Sequence, residues 1–146
     1  MRAAAATIAG LALASALLAA ACSNTPSSTT TPSATTSTPF TEVFIGTLPV
    51  GGSSFYSFTV SQTSNVFLMM ASLTTATPAP TVSVPLNLGL GVPAGIGCDL
   101  SQSVTVTPAL TPQIGVTLDP GIYCANIQDV GYLTSPVTFA IRIVHR

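Results

Sequence analysis

The sequence predicts an all-β protein: a single antiparallel β-sandwich of jelly-roll type, with about eight strands. An apolar N-terminal segment and a disordered tether precede it. Three observations carry the prediction. From Phe40 onward the apolar residues come in short runs, separated by Gly, Pro, Ser and Asn. Several runs alternate apolar and polar residues with period two, the signature of a half-buried strand. No amphipathic helix of useful length is visible anywhere in the chain.

Taken in order, the first strand is expected over Phe40 to Thr47. In the second, Tyr56, Phe58 and Val60 alternate with Ser57 and Thr59. Asn65 to Leu73 is apolar on both faces, which predicts a central strand. Met69 and Met70 lie within it; adjacent strand residues point to opposite faces, so the two thioethers cannot chelate one ion and read as core fillers. Val82, Val84, Leu86, Leu88 and Leu90 alternate with Ser83, Pro85, Asn87 and Gly89. Pro85 lacks an N–H, which predicts an edge strand or a bulge there. Ser103 to Thr107 is a weak strand. Ile114 to Leu118 leads through Asp119-Pro120-Gly121 into Ile122 to Gln128, a pattern that predicts a tight turn between two antiparallel strands. The last strand is the clearest: Val137, Phe139, Ile141 and Ile143 alternate with Thr138, Ala140, Arg142 and Val144. Phe44, Phe58 and Phe139 fall in these patterns and read as core. Thr74 to Thr81 and Gly91 to Gly97 read as long loops.

Composition narrows the function. Only 5% of the 146 residues are charged, against about 25% in typical globular proteins. There is no Lys, and the net charge is -1. That leaves no electrostatic footprint for nucleic acid and no basic patch for anionic lipid headgroups. Solubility falls to scattered Ser and Thr hydroxyls, and colloidal repulsion is weak.

The N-terminus supplies the location. Arg2 and the α-amino group give a positive start, Ala3 to Leu18 an apolar run, and Ala19-Ala20-Ala21 small residues before Cys22. This is the layout of a secretory signal. With Cys22 closing it, the segment resembles a bacterial lipoprotein signal peptide. The resemblance implies that residues 1–21 are removed and that Cys22 receives lipid as the mature N-terminus. Two alternatives stand beside it: an uncleaved signal anchor, since a span needs about 20 mostly apolar residues, and ordinary cleavage after Ala21. The usual Leu three residues before the Cys is replaced by Ala19. Residues 22–39 then form a linker whose Ser23 to Pro39 stretch is almost entirely Ser, Thr and Pro. Such a tract cannot bury a core and is expected to be disordered. As a coil its ends would average about 20–25 Å apart, or about 50 Å fully drawn into polyproline II. Residues 40–146 remain for one domain.

The chain has three Cys, an odd number for an exported protein. A lipidated Cys22 leaves Cys98 and Cys124 as a pair. In an oxidising compartment the default is a disulfide, worth about 3–4 kcal/mol on the chain-entropy model. The alternative is two buried, reduced thiols behaving as small hydrophobes.

Within residues 40–146 the runs Gly46-Thr47-Leu48, Tyr56-Ser57-Phe58-Thr59-Val60 and Leu118-Asp119-Pro120-Gly121-Ile122-Tyr123 follow one another, closing on Phe139-Ala140-Ile141-Arg142-Ile143. This order resembles the bacterial pre-peptidase C-terminal domain, which carries a G-x-L, a Y-x-F-x-V strand and an L-x-x-G-x-Y turn before a penultimate strand. The resemblance implies a non-catalytic β-sandwich, in that family usually appended to a secreted enzyme. The pair Cys98 and Cys124 is a departure from many of its members.

The inventory for chemistry is thin. The single His, His145, stands one residue from the end of the sequence, where chains fray. No Ser sits in a nucleophile elbow, and no cofactor is implied. Calcium takes carboxylates and carbonyls from loops. Asp99 and Asp129 fall in expected loops, Asp129 with Asn126 and Gln128 nearby, and are its candidates. The competing reading is that each Asp caps its own turn, as Asp119 before Pro-Gly is expected to do. Tyr132 is the one aromatic expected on a loop; it would be a glycan platform, or a ring packed over the sandwich end with its hydroxyl in water. The sequence therefore points to an exported lipoprotein anchored to the bacterial cell envelope, periplasmic or on the surface. Its sandwich is non-catalytic and serves a structural or protein-interaction role. The alternative is a tethered carbohydrate- or small-ligand-binding module. Its partners would be the membrane, through the N-terminal lipid, and an envelope protein or glycan.

Overall fold

In the computed structural model, which describes residues 38–75 and 81–146, the chain forms eight strands and no helix among those residues. They are β1 (Phe40–Leu48), β2 (Ser53–Val60), β3 (Ser64–Thr75), β4 (Leu86–Ala94), β5 (Gly97–Val106), β6 (Ile114–Leu118), β7 (Gly121–Gln128) and β8 (Val137–His145). They pair antiparallel into two four-stranded sheets, ordered β1-β8-β3-β6 and β2-β7-β4-β5. This order is the double Greek key of a jelly roll. The expected signal peptide, Cys22 and the linker as far as residue 37 lie outside the described residues.

The core lies between the sheets and follows the period-two pattern. Val137, Phe139, Ile141 and Ile143 of β8 are all buried, facing Phe58, Val60, Leu88, Leu90, Ala125 and Ile127 of the opposite sheet. β3 runs between β8 and β6, the central position its two apolar faces predict. Met69 and Met70 are both buried, and only Met70 belongs to the core cluster.

Several expectations are corrected. β4 is a central strand; it starts at Leu86, directly after Pro85, so the missing N–H falls before the ladder begins. Val82 and Val84 precede the strand and pack on the core from outside it. β5 is twice the expected length and begins at Gly97, so Gly91 to Gly97 is a hairpin rather than a long loop. Of the expected loop at Thr74 to Thr81, Thr74 and Thr75 end β3, Thr81 bridges back to Thr74, and residues 76–80 lie outside the described ones. Finally, β6 and β7 belong to different sheets, so Asp119-Pro120 carries the chain across the sandwich and does not close a hairpin. At this crossing the Tyr123 hydroxyl donates to the Asp119 carbonyl (3.0 Å). A Tyr bonded to backbone four residues upstream at an inter-sheet corner is a tyrosine corner. The Asp119 carboxylate does not cap its own turn; it accepts a hydrogen bond from the Thr63 hydroxyl (2.9 Å).

The open edge of β3 beyond Leu68 is completed by the β5–β6 connection. Gln113 and Ala109 N–H groups donate to the Leu68 and Met70 carbonyls (2.9 Å each), and the Gln113 side-chain oxygen accepts the Met70 N–H (2.7 Å). Every strand-edge group so paired avoids the cost of a buried orphan. At the β1–β2 edge, stacked rings of Phe44 and Tyr56 (centroids 4.7 Å apart) seal the core. Tyr56 fits because Gly46 has no side chain: a Cβ there would meet the Tyr56 hydroxyl and the Phe139 ring.

Candidate functional site

The most exposed large apolar side chain among the described residues, Ile96, stands on the β4–β5 hairpin. β7 pairs with β4 only as far as Gly91; Val92, Pro93 and Ala94 pair with β5 alone, opposite Asp99, Cys98 and Gly97. The hairpin therefore projects beyond its sheet. It turns in two residues, with Gly95 at φ 58°, the left-handed backbone that primed hairpin turns require. Ile96 at the tip is fully exposed, and Val92 and Leu100 are also exposed.

The Cys98–Cys124 disulfide fixes the hairpin's base. It joins β5 to β7 across β4, with the two Cα atoms only 6.0 Å apart. Strands two apart in a flat sheet would sit about 9.5 Å apart. A β-bulge lies between Leu90 and Gly91, and a bulge bends the strand that carries it and increases the local twist. Its bulged residue, Ser101, donates its hydroxyl to the Leu90 carbonyl (3.1 Å). The Asp99 carbonyl then lies where a Cβ of Gly91 would be, so no residue but glycine fits at 91.

The other sequence candidates are separated by the fold. Asp99 is in β5, exposed, not in a loop as expected. Asp129 follows β7 at the opposite end of the sheet. Asn87 of β4 is level with Gln128 and Val92 with Asp99; five residues of rise put about 17 Å between the two carboxylates along the strand, too far to share a cation. Asp129 is buried, and its carboxylate faces donors. Oδ2 accepts the Gly51 N–H (2.8 Å), and Oδ1 those of Gly131, Tyr132 and Leu133 (2.9, 3.0 and 3.2 Å). The Gly51 N–H, then those of Leu133, Gly131 and Tyr132, hold its carboxyl below the usual range against the opposing effect of burial. This carboxylate, accepting four backbone N–H groups, ties the 129–136 loop to the β1–β2 turn. Tyr132 rides on that loop with its side chain exposed.

His145 does not fray. It is the last residue of β8, buried, with Nε2 2.8 Å from Glu42 Oε1 and its ring between Phe40 and Phe58 (centroids 5.6 Å from each). Ser64 beside it is engaged elsewhere: its hydroxyl donates to the Arg146 carbonyl (3.3 Å) and accepts the Arg146 N–H (3.4 Å). Sequence reasoning missed the Glu42–His145 pair because its partners are 103 residues apart. The tip residue Ile96 was hidden inside an expected loop. No protein-family model matches the chain, and no curated protein matches it.

Proposed function

We propose that this protein is a non-catalytic, exported interaction module, held at a bacterial membrane through lipid on Cys22, that engages an envelope protein with its β4–β5 hairpin. The observation that carries the reading is the hairpin: an apolar tip, fully exposed at Ile96 and stapled at its base by a disulfide. An exposed apolar side chain on an element already held in place loses little conformational freedom when it is buried against a partner. The partner is a protein rather than a lipid surface. Interfacial membrane segments use basic and aromatic residues, and the hairpin's only charge is Asp99.

Two further points support the reading. A disulfide belongs to an oxidising compartment, outside the cytoplasm where the Cys22 signal would send the chain. The resemblance to the pre-peptidase C-terminal domain also implies a non-catalytic sandwich. In addition, β1 starts at the end of the sandwich from which the hairpin projects: Phe40 is level with His145, and Gly91 with Cys124 near the start of β7. The hairpin and the start of β1 therefore share one end of the sandwich, an arrangement compatible with a partner held close to the anchor.

The test is site-specific photo-crosslinking in intact cells, with the crosslinking residue at Ile96 or, as control, at exposed Thr105 on the far half of β5. The expected result is a discrete protein adduct from position 96 only, abolished in the Cys98→Ser/Cys124→Ser variant. Identical adducts from both positions, or lipid adducts alone from position 96, would contradict the proposal.

A further inference from the structure

The outer face of the β1-β8-β3-β6 sheet holds a cleft that the hairpin does not explain. Register sets its residues in two rows. Val144, Phe67 and Gly115 lie level across β8, β3 and β6. One step nearer the end of the sandwich, Asn65 lies opposite Thr117, with Arg146 beyond Val144 on the β8 side. The first row is an apolar platform. The Phe67 ring lies against Gly115, its edge 3.3 Å from where a Cβ would be, so the ring rests on bare backbone and stays exposed on its other side. The second row is polar and fixed. Thr117 Oγ1 donates to Asn65 Oδ1 (2.7 Å), which orients the amide and leaves its N–H donors for a ligand. Ser64 holds the Arg146 backbone from both sides. Among the described residues no carboxylate pairs with the Arg146 guanidinium. Ser64, Asn65, Phe67, Thr117, Val144 and Arg146 are among the residues lining a cavity of about 470 Å³, and Asn65, Phe67 and Thr117 also line a shallower depression over Gly115.

We propose that this cleft binds a saccharide bearing a carboxylate group. The apolar C–H face of a sugar ring stacks on the electron-rich face of Phe67. Its hydroxyls meet the Asn65 amide and the Thr117 hydroxyl. The carboxylate meets the Arg146 guanidinium, whose planar fork matches it with two parallel hydrogen bonds. A phosphate-rich ligand fits less well: Arg142 and Arg146 are the only Arg or Lys side chains among the described residues, too few to neutralise a polyanion.

The experiment titrates the full-length protein with trigalacturonate and, as the uncharged counterpart, maltotriose, followed by calorimetry. Trigalacturonate is expected to bind at least about tenfold more tightly, the value of one charge-assisted hydrogen bond. Arg146→Gln should remove that preference, and Phe67→Ala should weaken both sugars. Arg142→Gln, on the same face but outside the cavity, should change neither. Ile96→Asp should also leave binding intact, separating this site from the hairpin's partner. No binding of either sugar, equal affinity for the two, or equal losses from Arg146→Gln and Arg142→Gln would overturn the proposal.

Discussion

Single residues decide several features of this fold, and Asp129 is the clearest. One carboxylate gathers four backbone N–H groups from two separate loops. Two of the four belong to glycines at positive φ, Gly51 (67°) and Gly131 (98°), a conformation side-chain-bearing residues rarely adopt. Asp129→Asn keeps the acceptor at Oδ1 but turns an N–H₂ toward the Gly51 N–H, donor against donor. The variant is expected to melt several degrees below wild type at neutral pH in a calorimetric scan. The pH dependence has a definite sign. The folded-state pKa lies below its ordinary value of 3.8, so the charged form stabilises the fold. That contribution is complete above the ordinary carboxylate range and is lost as pH falls through the depressed value. The gap between wild type and variant should therefore be constant near neutrality and close progressively below about pH 4. The sequence named Asp129 either as a calcium candidate or as the cap of its own turn, and the Gly131 and Tyr132 N–H groups on Oδ1 bear out the cap. What it could not show is that the glycines at 51 and 131 turn their N–H groups toward it, because Gly51 is 78 residues away.

At the scale of elements, local patterning carried some strands and failed at others for identifiable reasons. β6 and β8 were legible because their alternation is uninterrupted. β5 was not: its N-terminal half, Gly97 to Gln102, is partly exposed and carries no buried apolar residue, so no period-two signal exists to read. It is a strand because β4 and the disulfide hold it there. Phe67 was hidden for the opposite reason. In an all-apolar stretch, nothing distinguishes a residue that faces the core from one on the outer face. The staple's energetic role follows from the same geometry. The disulfide closes a 26-residue separation, so Cys98→Ser/Cys124→Ser should lose about 3–4 kcal/mol in denaturant unfolding. The loss should be accompanied by early hydrogen exchange at Val92 to Asp99, the segment that β7 does not pair. If that segment exchanges no faster in the variant, the staple does not hold the hairpin.

At the scale of the whole molecule, the jelly roll brings the start of β1, the projecting hairpin and the Phe67–Arg146 cleft to the same end. The apolar tip and the cleft are then two exposed surfaces at the end of the sandwich where β1 begins. A domain with so little charge gains from being held singly at a surface, where copies meet less often. The architecture was legible from the turn spacing and the absence of helices. The clustering at one end was not, because it depends on which strands pair. The central claim, that this is a module leashed to a membrane outside the cytoplasm, is tested most directly by the intact mass of the protein recovered from the membrane fraction. The account predicts a chain beginning at Cys22, carrying acyl groups there, with Cys98 and Cys124 oxidised to one another. A mature chain without acyl mass, or free thiols at both Cys98 and Cys124, would contradict it.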